Sequence, residues 1–524
     1  RVPTNRAGTA GLRTGPQAMG PILVRAELLW NRCSKGTVPS AGPLAHTVAM
    51  AGTCGVRRTV RWTCVALAVT LLLAPASARA GAEEQPNIVM VRTDDQTFDS
   101  FNATYMPRTR AFFDRRGTVF ANAIVSTPLC CPSRVQALTG QYAHNNGVAS
   151  NFPGYPTLLD ARNVLPAWLR RAGYRTIHVG KWLHGYSETR KLRPAPGWDR
   201  WLTSNWPSYY DAPFSLDGEF RRTPEYLGDV LSGMTTAMLA RYAPQRRPFF
   251  LQIDEFAPHT TLAGEGTRCE DAPIPAPADA ELFADATAPR TPAFDEEDVS
   301  DKPEHMRKDR LSPERALEID RQFGCAMATL RSVDRNFIGM VRTLRELGEL
   351  GNTLIVFTSD NGYIYGQHRV ALGKGLPYDE NIRVPLAIAA PRGFGDAPAR
   401  IRAAAANVDL PATFLQIAQA EPCVADSCRR LDGRSLVPLL RGRRPPWSED
   451  RAIRTSFAVG RGTFFSCAWD GYWTPTESVA LHTSLPESGQ CAPAAVWEAY
   501  DLTADPFQLE AAQPTAAQRS RFEA

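Results

Sequence analysis

The 524-residue chain predicts an α/β fold: a mostly parallel sheet between helices, followed by a small C-terminal α+β domain with an antiparallel sheet. Three observations carry this. Short apolar runs of strand length alternate with amphipathic helical stretches, acidic pairs follow directly on two of those runs, and the tail from Arg451 alternates short β-like pieces with turns. Strands alternating with helices imply a parallel sheet covered on both faces. In such sheets ligands gather at the carboxyl ends of the strands, which is where the acidic pairs fall.

In chain order, residues 1–49 show no strong periodicity and read as an extension upstream of a start at Met50. Met50 is followed by Arg57, Arg58 and Arg61, the apolar run Val65 to Ala74, and Ala78-Arg79-Ala80. Basic residues, a short apolar run and an A-x-A site describe a signal peptide over 50–80, cleaved after Ala80 or Ala78. The run is shorter than the ~20 apolar residues that span a bilayer, so no stable membrane insertion is expected. The body opens with Asn87-Ile88-Val89-Met90-Val91, a buried-strand run that ends at Asp94-Asp95. A helix over Val164 to Ala172 puts Val164, Leu165, Trp168 and Leu169 on one face and stops at Gly173. Strands follow at Thr176 to Val179 and Phe249 to Ile253. Between about Ala272 and Pro313 the chain is Pro- and Asp-rich and aperiodic, a long surface excursion. Leu330, Val333, Phe337, Val341, Leu344 and Leu347 then mark an amphipathic helix ending before Gly348. The run Leu354 to Thr358 leads into Ser359-Asp360-Asn361-Gly362. A linker at Arg441-Gly442-Arg443-Arg444-Pro445-Pro446 divides a catalytic domain, 81–445, from a C-terminal domain, 446–524.

The net charge of +5 is misleading, because residues 1–80 hold ten Lys or Arg against one acidic residue and leave the remainder at −4. A mildly acidic body gives no electrostatic case for nucleic-acid binding. Of eleven cysteines, Cys33, Cys54 and Cys64 fall within the leader and the extension. Cys130 and Cys131 are adjacent, and six remain that can pair evenly. Sequence proximity suggests Cys269 with Cys325, Cys423 with Cys428 and Cys467 with Cys491, one of fifteen possible connectivities. Disulfides suit an exported protein, and no CxxC spacing points to structural zinc.

Asp94 with Asp95, and Asp360 with Asn361, offer hard oxygen ligands suited to Ca²⁺ or Mg²⁺. One such pair is more often a cap or a solvated turn. Two pairs about 265 residues apart, each just after an apolar strand, favour ligation.

The eleven residues Cys130-Cys131-Pro132-Ser133-Arg134-Val135-Gln136-Ala137-Leu138-Thr139-Gly140 resemble, without mismatch, the sulfatase signature CxPSRxxxLTG. The resemblance runs from Pro86 to about Phe507. It implies an alkaline-phosphatase-like core and oxidation of Cys130, by a formylglycine-generating enzyme, to Cα-formylglycine, whose hydrate is the nucleophile. By the same likeness Asp94, Asp95, Asp360, Asn361 and the modified Cys130 ligate one divalent cation, usually calcium. Arg134 matches the arginine that orients the diol. Lys181 in Gly180-Lys181-Trp182, His259 in Pro258-His259, and Lys374 in Gly373-Lys374-Gly375 match sulfate contacts. His184 stands three residues after Lys181, as in the GKYLN form of glucosamine-6-sulfatases, and is either a leaving-group acid or a sugar contact. His368 in Gly366-Gln367-His368-Arg369 is a weaker candidate than these, or simply shapes the substrate pocket.

Three features resemble the N-acetylglucosamine-6-sulfatase and extracellular heparan-sulfatase subgroup: Thr127-Pro128-Leu129-Cys130-Cys131, Glu296-Glu297-Asp298-Val299-Ser300-Asp301-Lys302-Pro303, and Tyr378-Asp379-Glu380-Asn381-Ile382-Arg383-Val384-Pro385. Arg92 departs from the family, holding a position usually apolar, as do Ala511 and Ala512. The resemblance implies a secreted or periplasmic hydrolase releasing sulfate from a sulfated carbohydrate or an aryl sulfate. Two alternatives stand beside it: a phosphonate monoester or phosphodiester hydrolase using the same nucleophile, and a non-catalytic sulfated-carbohydrate-binding protein.

Overall fold

The run expected to open the body forms strand β1 (Asn87–Thr93), with all seven residues buried. The computed structural model describes residues 85–186, 193–204, 208–395, 397–458, 467–483 and 495–524. The expected extension and signal peptide, 1–80, lie outside them. The strands after β1 are β2 (Thr118–Ile124), β3 (Arg175–Lys181), β4 (Arg200–Ser204), β5 (Ala212–Leu216), β6 (Glu219–Thr223), β7 (Phe249–Asp254), β8 (Thr353–Ser359), β9 (Ile364–Tyr365), β10 (Leu372–Gly373), β11 (Leu386–Ala389), β12 (Arg400–Ala406), β13 (Cys423–Val424), β14 (Ser427–Cys428), β15 (Ile453–Phe457), β16 (Trp469–Trp473), β17 (Glu477–His482) and β18 (Val496–Asp501).

Ten strands form one sheet in the order β12-β2-β11-β8-β1-β7-β3-β4-β5-β6. The run β8-β1-β7-β3-β4 is parallel throughout. Strand β11 enters antiparallel to both neighbours, and β5 and β6 add an antiparallel hairpin at the edge. Alternate residues of β1 face opposite ways, as the pleat requires. Val89 and Val91 pack with Leu251, Ile253 and Phe357 beneath the helices Pro107–Arg116, Leu227–Tyr242 and Pro313–Glu346. Ile88 and Met90 pack with Phe250 and Val356 beneath Cys130–Thr139, Leu165–Arg171 and Asp409–Ala418. The sheet is therefore covered on both faces.

The long helix is 34 residues, capped where the Ser312 side chain accepts from the Arg315 N–H. Its first half buries Ile319, Phe323 and Met327 on the same side, together with the small or polar Gln322, Gly324, Ala326 and Ala328. The segment 272–313 is not a solvated loop. Asp279 pairs with Arg335 at 2.6 Å, and buried Glu296 forms an ion pair with Lys302 Nζ at 2.8 Å and bonds the His368 ring at 2.8 Å.

Strands β15 to β18 form a separate four-stranded antiparallel sheet. Phe457, Trp469 and Trp473 pack it onto Ile124, Leu129 and Ile382. Disulfides join Cys269 to Cys325 and Cys423 to Cys428, as proximity suggested. Cys467 is disulfide-bonded, and its expected partner Cys491 lies outside the described residues.

Candidate active site

Four adjacent parallel strands deliver the polar groups of the site at their carboxyl ends. In sheet order, β8 leads into Asp360 and Asn361, β1 into Asp94 and Asp95, β7 ends on Asp254, and β3 ends on Lys181. Because β1 and β8 pair with Thr93 beside Ser359, the two oxygen-ligand pairs emerge side by side. Asp95 takes a left-handed conformation, φ 68°, and its N–H donates to Asp360 Oδ1 at 3.2 Å. Aspartate tolerates this region better than most residues, and such backbone clusters at functional sites. Gly180 cannot be replaced without moving β7, since a Cβ there would lie 1.9 Å from the Asp254 carbonyl oxygen. That close approach sets Lys181 beside Asp94.

Cys130 is the first residue of the buried helix Cys130–Thr139. Its Sγ lies 3.5 Å from Asp94 Oδ1 and accepts from Lys374 Nζ at 2.9 Å. Lys181 Nζ donates to Asp94 Oδ2, and Lys374 Nζ also donates to Asp95 Oδ1. One turn along the helix, Arg134 is fully buried; its Nε donates to Asp360 Oδ2 at 2.7 Å, and its Nη2 lies 3.3 Å from Asp94 Oδ2. His259 Nε2 faces Asp95 Oδ2 at 3.7 Å, while its Nδ1 lies 2.6 Å from the Thr260 carbonyl oxygen. A carbonyl only accepts, so Nδ1 carries the proton and neutral His259 turns an acceptor nitrogen toward the site.

The electrostatics follow from this crowding. Burial opposes charge on Asp94, yet Lys181 and Arg134 hold its carboxyl well below the ordinary range. Burial and the Asp94 charge push Asp360 up. Burial and Asp94 raise the Cys130 thiol to about 12. Burial and Lys181 lower His259 to about 4, and His184 falls for the same reasons, so both rings are neutral at neutral pH.

Oxygens of Asp94, Asp95 and Asp360 lie within 4.8 Å of one another, as do ligand atoms of Asp94, Cys130 and His259. Asn361 donates through Nδ2 to Asp95 Oδ1 at 2.5 Å, and its Oδ1 is buried without a hydrogen-bond partner. Three carboxylates and an orphaned amide oxygen are the donor set a hard divalent cation requires.

The site residues expected from the sequence thus meet in one place, with His184 close enough to feel Lys181, Asp94, His259 and Lys374. His368 is elsewhere, bonded to Glu296 and stacked on Tyr378 at 3.9 Å, where it anchors the segment containing Glu296. Asp254 was missed by the sequence reading. It ends a strand as Asp94 and Asp360 follow theirs, and that position was the available signal.

A parallel sheet covered on both faces, with a hard-cation donor set and a helix-borne cysteine at its carboxyl edge, defines a protein of the alkaline-phosphatase-like α/β class. The chain belongs to the sulfatase family: the Sulfatase family model matches residues 86–420. It is 33% identical to the arylsulfatase of Volvox carteri over 400 residues, covering 71% of this chain and 61% of that protein. It is 33% identical to the N-acetylglucosamine-6-sulfatase of Homo sapiens over 384 residues, covering 69% and 66%. The chain thus spans less than two thirds of the length of either relative. Its fold matches a protein solved in complex with its substrate D-glucosamine-2-N,6-O-disulfate, with a TM-score of 0.62 at 23% identity over 84% of this chain and 95% of that one. Among the described residues no helix is long and apolar enough to cross a membrane.

Proposed function

We propose that the chain hydrolyses sulfate esters, releasing inorganic sulfate from a sulfated sugar such as 6-O-sulfated N-acetylglucosamine, or from an aryl sulfate. The observation that carries this is the convergence on Cys130 of Asp94, Lys374 and the Arg134-bearing helix. The names of the Volvox and human relatives support the substrate class. We assign Asp94, Asp95, Asp360, Asn361 and position 130 to a divalent cation, calcium, and Cys130 to conversion into formylglycine. A thiol raised to about 12 would itself be a poor nucleophile at neutral pH.

Asp94, Asp95, Asp360 and Asn361 would hold the cation, which would supply positive charge to sulfate oxygens, and a hydrated formylglycine at position 130 would supply the nucleophilic hydroxyl. The remaining work belongs to side chains. Lys181 and Lys374 meet sulfate oxygens as charge develops on them. Arg134, held by Asp360 and Asp94, fixes the orientation of position 130. His259 Nε2 takes the proton of the attacking hydroxyl, and either it or His184 returns one to the leaving alcohol. Export through a signal peptide at 50–80 fits the disulfides among the described residues and the extracellular sulfatase relative of Drosophila melanogaster.

The test is sulfate release from a panel of sulfated mono- and disaccharides and an aryl sulfate, after weighing the Cys130 peptide. Full activity from peptide carrying an unmodified thiol overturns the mechanism, and faster turnover of an aryl phosphonate overturns the substrate class. Chelation is expected to abolish release and calcium to restore it.

A further inference from the structure

A second layer of charge lies behind Arg134. Asp254 is fully buried at the end of β7, and its two oxygens are divided between separate tasks. Oδ1 accepts from Arg92 Nε at 2.7 Å and lies 3.6 Å from Arg134 Nη1. Oδ2 accepts from the Gln252 amide at 2.7 Å and lies 2.9 Å from His178 Nε2. His178 Nδ1 lies 2.7 Å from Thr203 Oγ1, so a neutral ring donates through Nε2 to Asp254 and accepts from the threonine hydroxyl. Register aligns these groups across the sheet, because Asp254 pairs with Arg92 of β1 on one side and Gly180 of β3 on the other.

The arrangement is costly for a merely structural purpose. A buried ion pair seldom stabilises a fold more than apolar residues of the same volume. Here Arg92 is buried, and its Nη1 has no hydrogen-bond partner. Arg92 and Asp254 are neutral as a pair, so they leave the net charge of the site unchanged. What they add is placement. Arg134 Nη1 also donates to the Lys181 carbonyl at 3.1 Å, which leaves the guanidinium fastened by Asp360 on one side and by Asp254 with Lys181 on the other.

We propose that Asp254, itself fixed by Arg92 and His178, is a positioning residue: it orients the Arg134 guanidinium and, through it, the Asp94 and Asp360 carboxylates. The proposal rests on the sulfatase reading for its kinetic consequence only. Partners of this kind typically change metal affinity or activity 10- to 100-fold when removed.

The experiment compares wild-type protein with Asp254→Asn, Arg92→Leu and the double variant Arg92→Leu/Asp254→Ala. Melting temperature, calcium affinity by calorimetry, and kcat and KM on an aryl sulfate are measured for each. Asp254→Asn is expected to lose about 10- to 100-fold in kcat and in calcium affinity, with KM within about threefold. Both single variants melt lower, and the double variant regains melting temperature without regaining kcat or calcium affinity. Wild-type kcat and calcium affinity in the double variant reduce the pair to a packing feature and overturn the proposal. If wild-type protein turns over no ester at all, the functional reading fails separately. The position of Arg134 in a crystal structure of Asp254→Asn then decides: an undisplaced guanidinium overturns the proposal, and a displaced one sustains it.

Discussion

Replacing Lys374 by methionine removes one charge while keeping the length of the stem. In the structure Lys374 Nζ touches both Asp95 and position 130, so a sulfate bound between them would lie within hydrogen-bond distance of the ammonium. At a separation of about 4 Å and an effective dielectric of about 20, one unit charge is worth about 4 kcal/mol to a developing negative charge. Deleting a single donor from comparable sites costs about 2.7–4 kcal/mol, or 10²- to 10³-fold in kcat. Lys374→Met is therefore expected to lower kcat by about 10²–10³ on an aryl sulfate, with the loss in kcat exceeding any rise in KM. Folding should change little, because Asp95 keeps its hydrogen bond from Asn361 at 2.5 Å. The assay is aryl alcohol release followed by absorbance, on protein whose modification has been confirmed by mass. A kcat within tenfold of wild type, or a defect confined to KM, would refute the assignment of Lys374 to the transition state.

Three further outcomes are expected. Trp469→Phe removes the indole hydrogen bond to the Gly375 carbonyl, 2.9 Å long, at about 1 kcal/mol of stability, and loosens the neighbouring Lys374; kcat should fall with Tm, and a Tm loss at unchanged kcat would show that the contact only packs. Replacing Cys269 and Cys325 with alanine opens a loop of 56 residues and should lower unfolding free energy by about 4 kcal/mol, read from urea midpoints that coincidence with wild type would contradict. Buried Glu498 is held at about 2 against an ordinary 4.5, with burial opposed by His482 and the hydroxyls of Tyr500 and Tyr378. A folded value below the unfolded one means stability present above about pH 4.5 and lost as pH falls toward 2, about 3 kcal/mol in all. Glu498→Gln should flatten that acid limb, and parallel acid-denaturation curves would contradict it.

Much of the site could be read from the chain because its candidate ligands sit at strand ends, where an apolar run gives way to acid. Asp94, Asp95, Asp360 and Asn361 carry that signature, and pairing of β1 with β8 brings them together. Asp254 carries it too, but the flanking Gln252 and Glu255 blur the end of its strand, and both turn out to be buried. The antiparallel entry of β11 between β2 and β8 had no local signal, since four apolar residues pair equally well in either direction. Docking of the C-terminal sheet was equally hidden, because Trp469 and Trp473 show their hydrogen-bond partners, Gly375 and Asp379, only once nearly a hundred intervening residues have folded.

That docking imposes an order of events on the making of the chain. Cys130 is 1% exposed in the folded chain, so any catalyst that alters its side chain must reach it before the helix settles against the sheet. The strands that brace the Lys374 loop are synthesised more than three hundred residues after the cysteine emerges. Completion of the pocket is thereby deferred until those strands have been made, and any alteration of position 130 would fall in the interval before it.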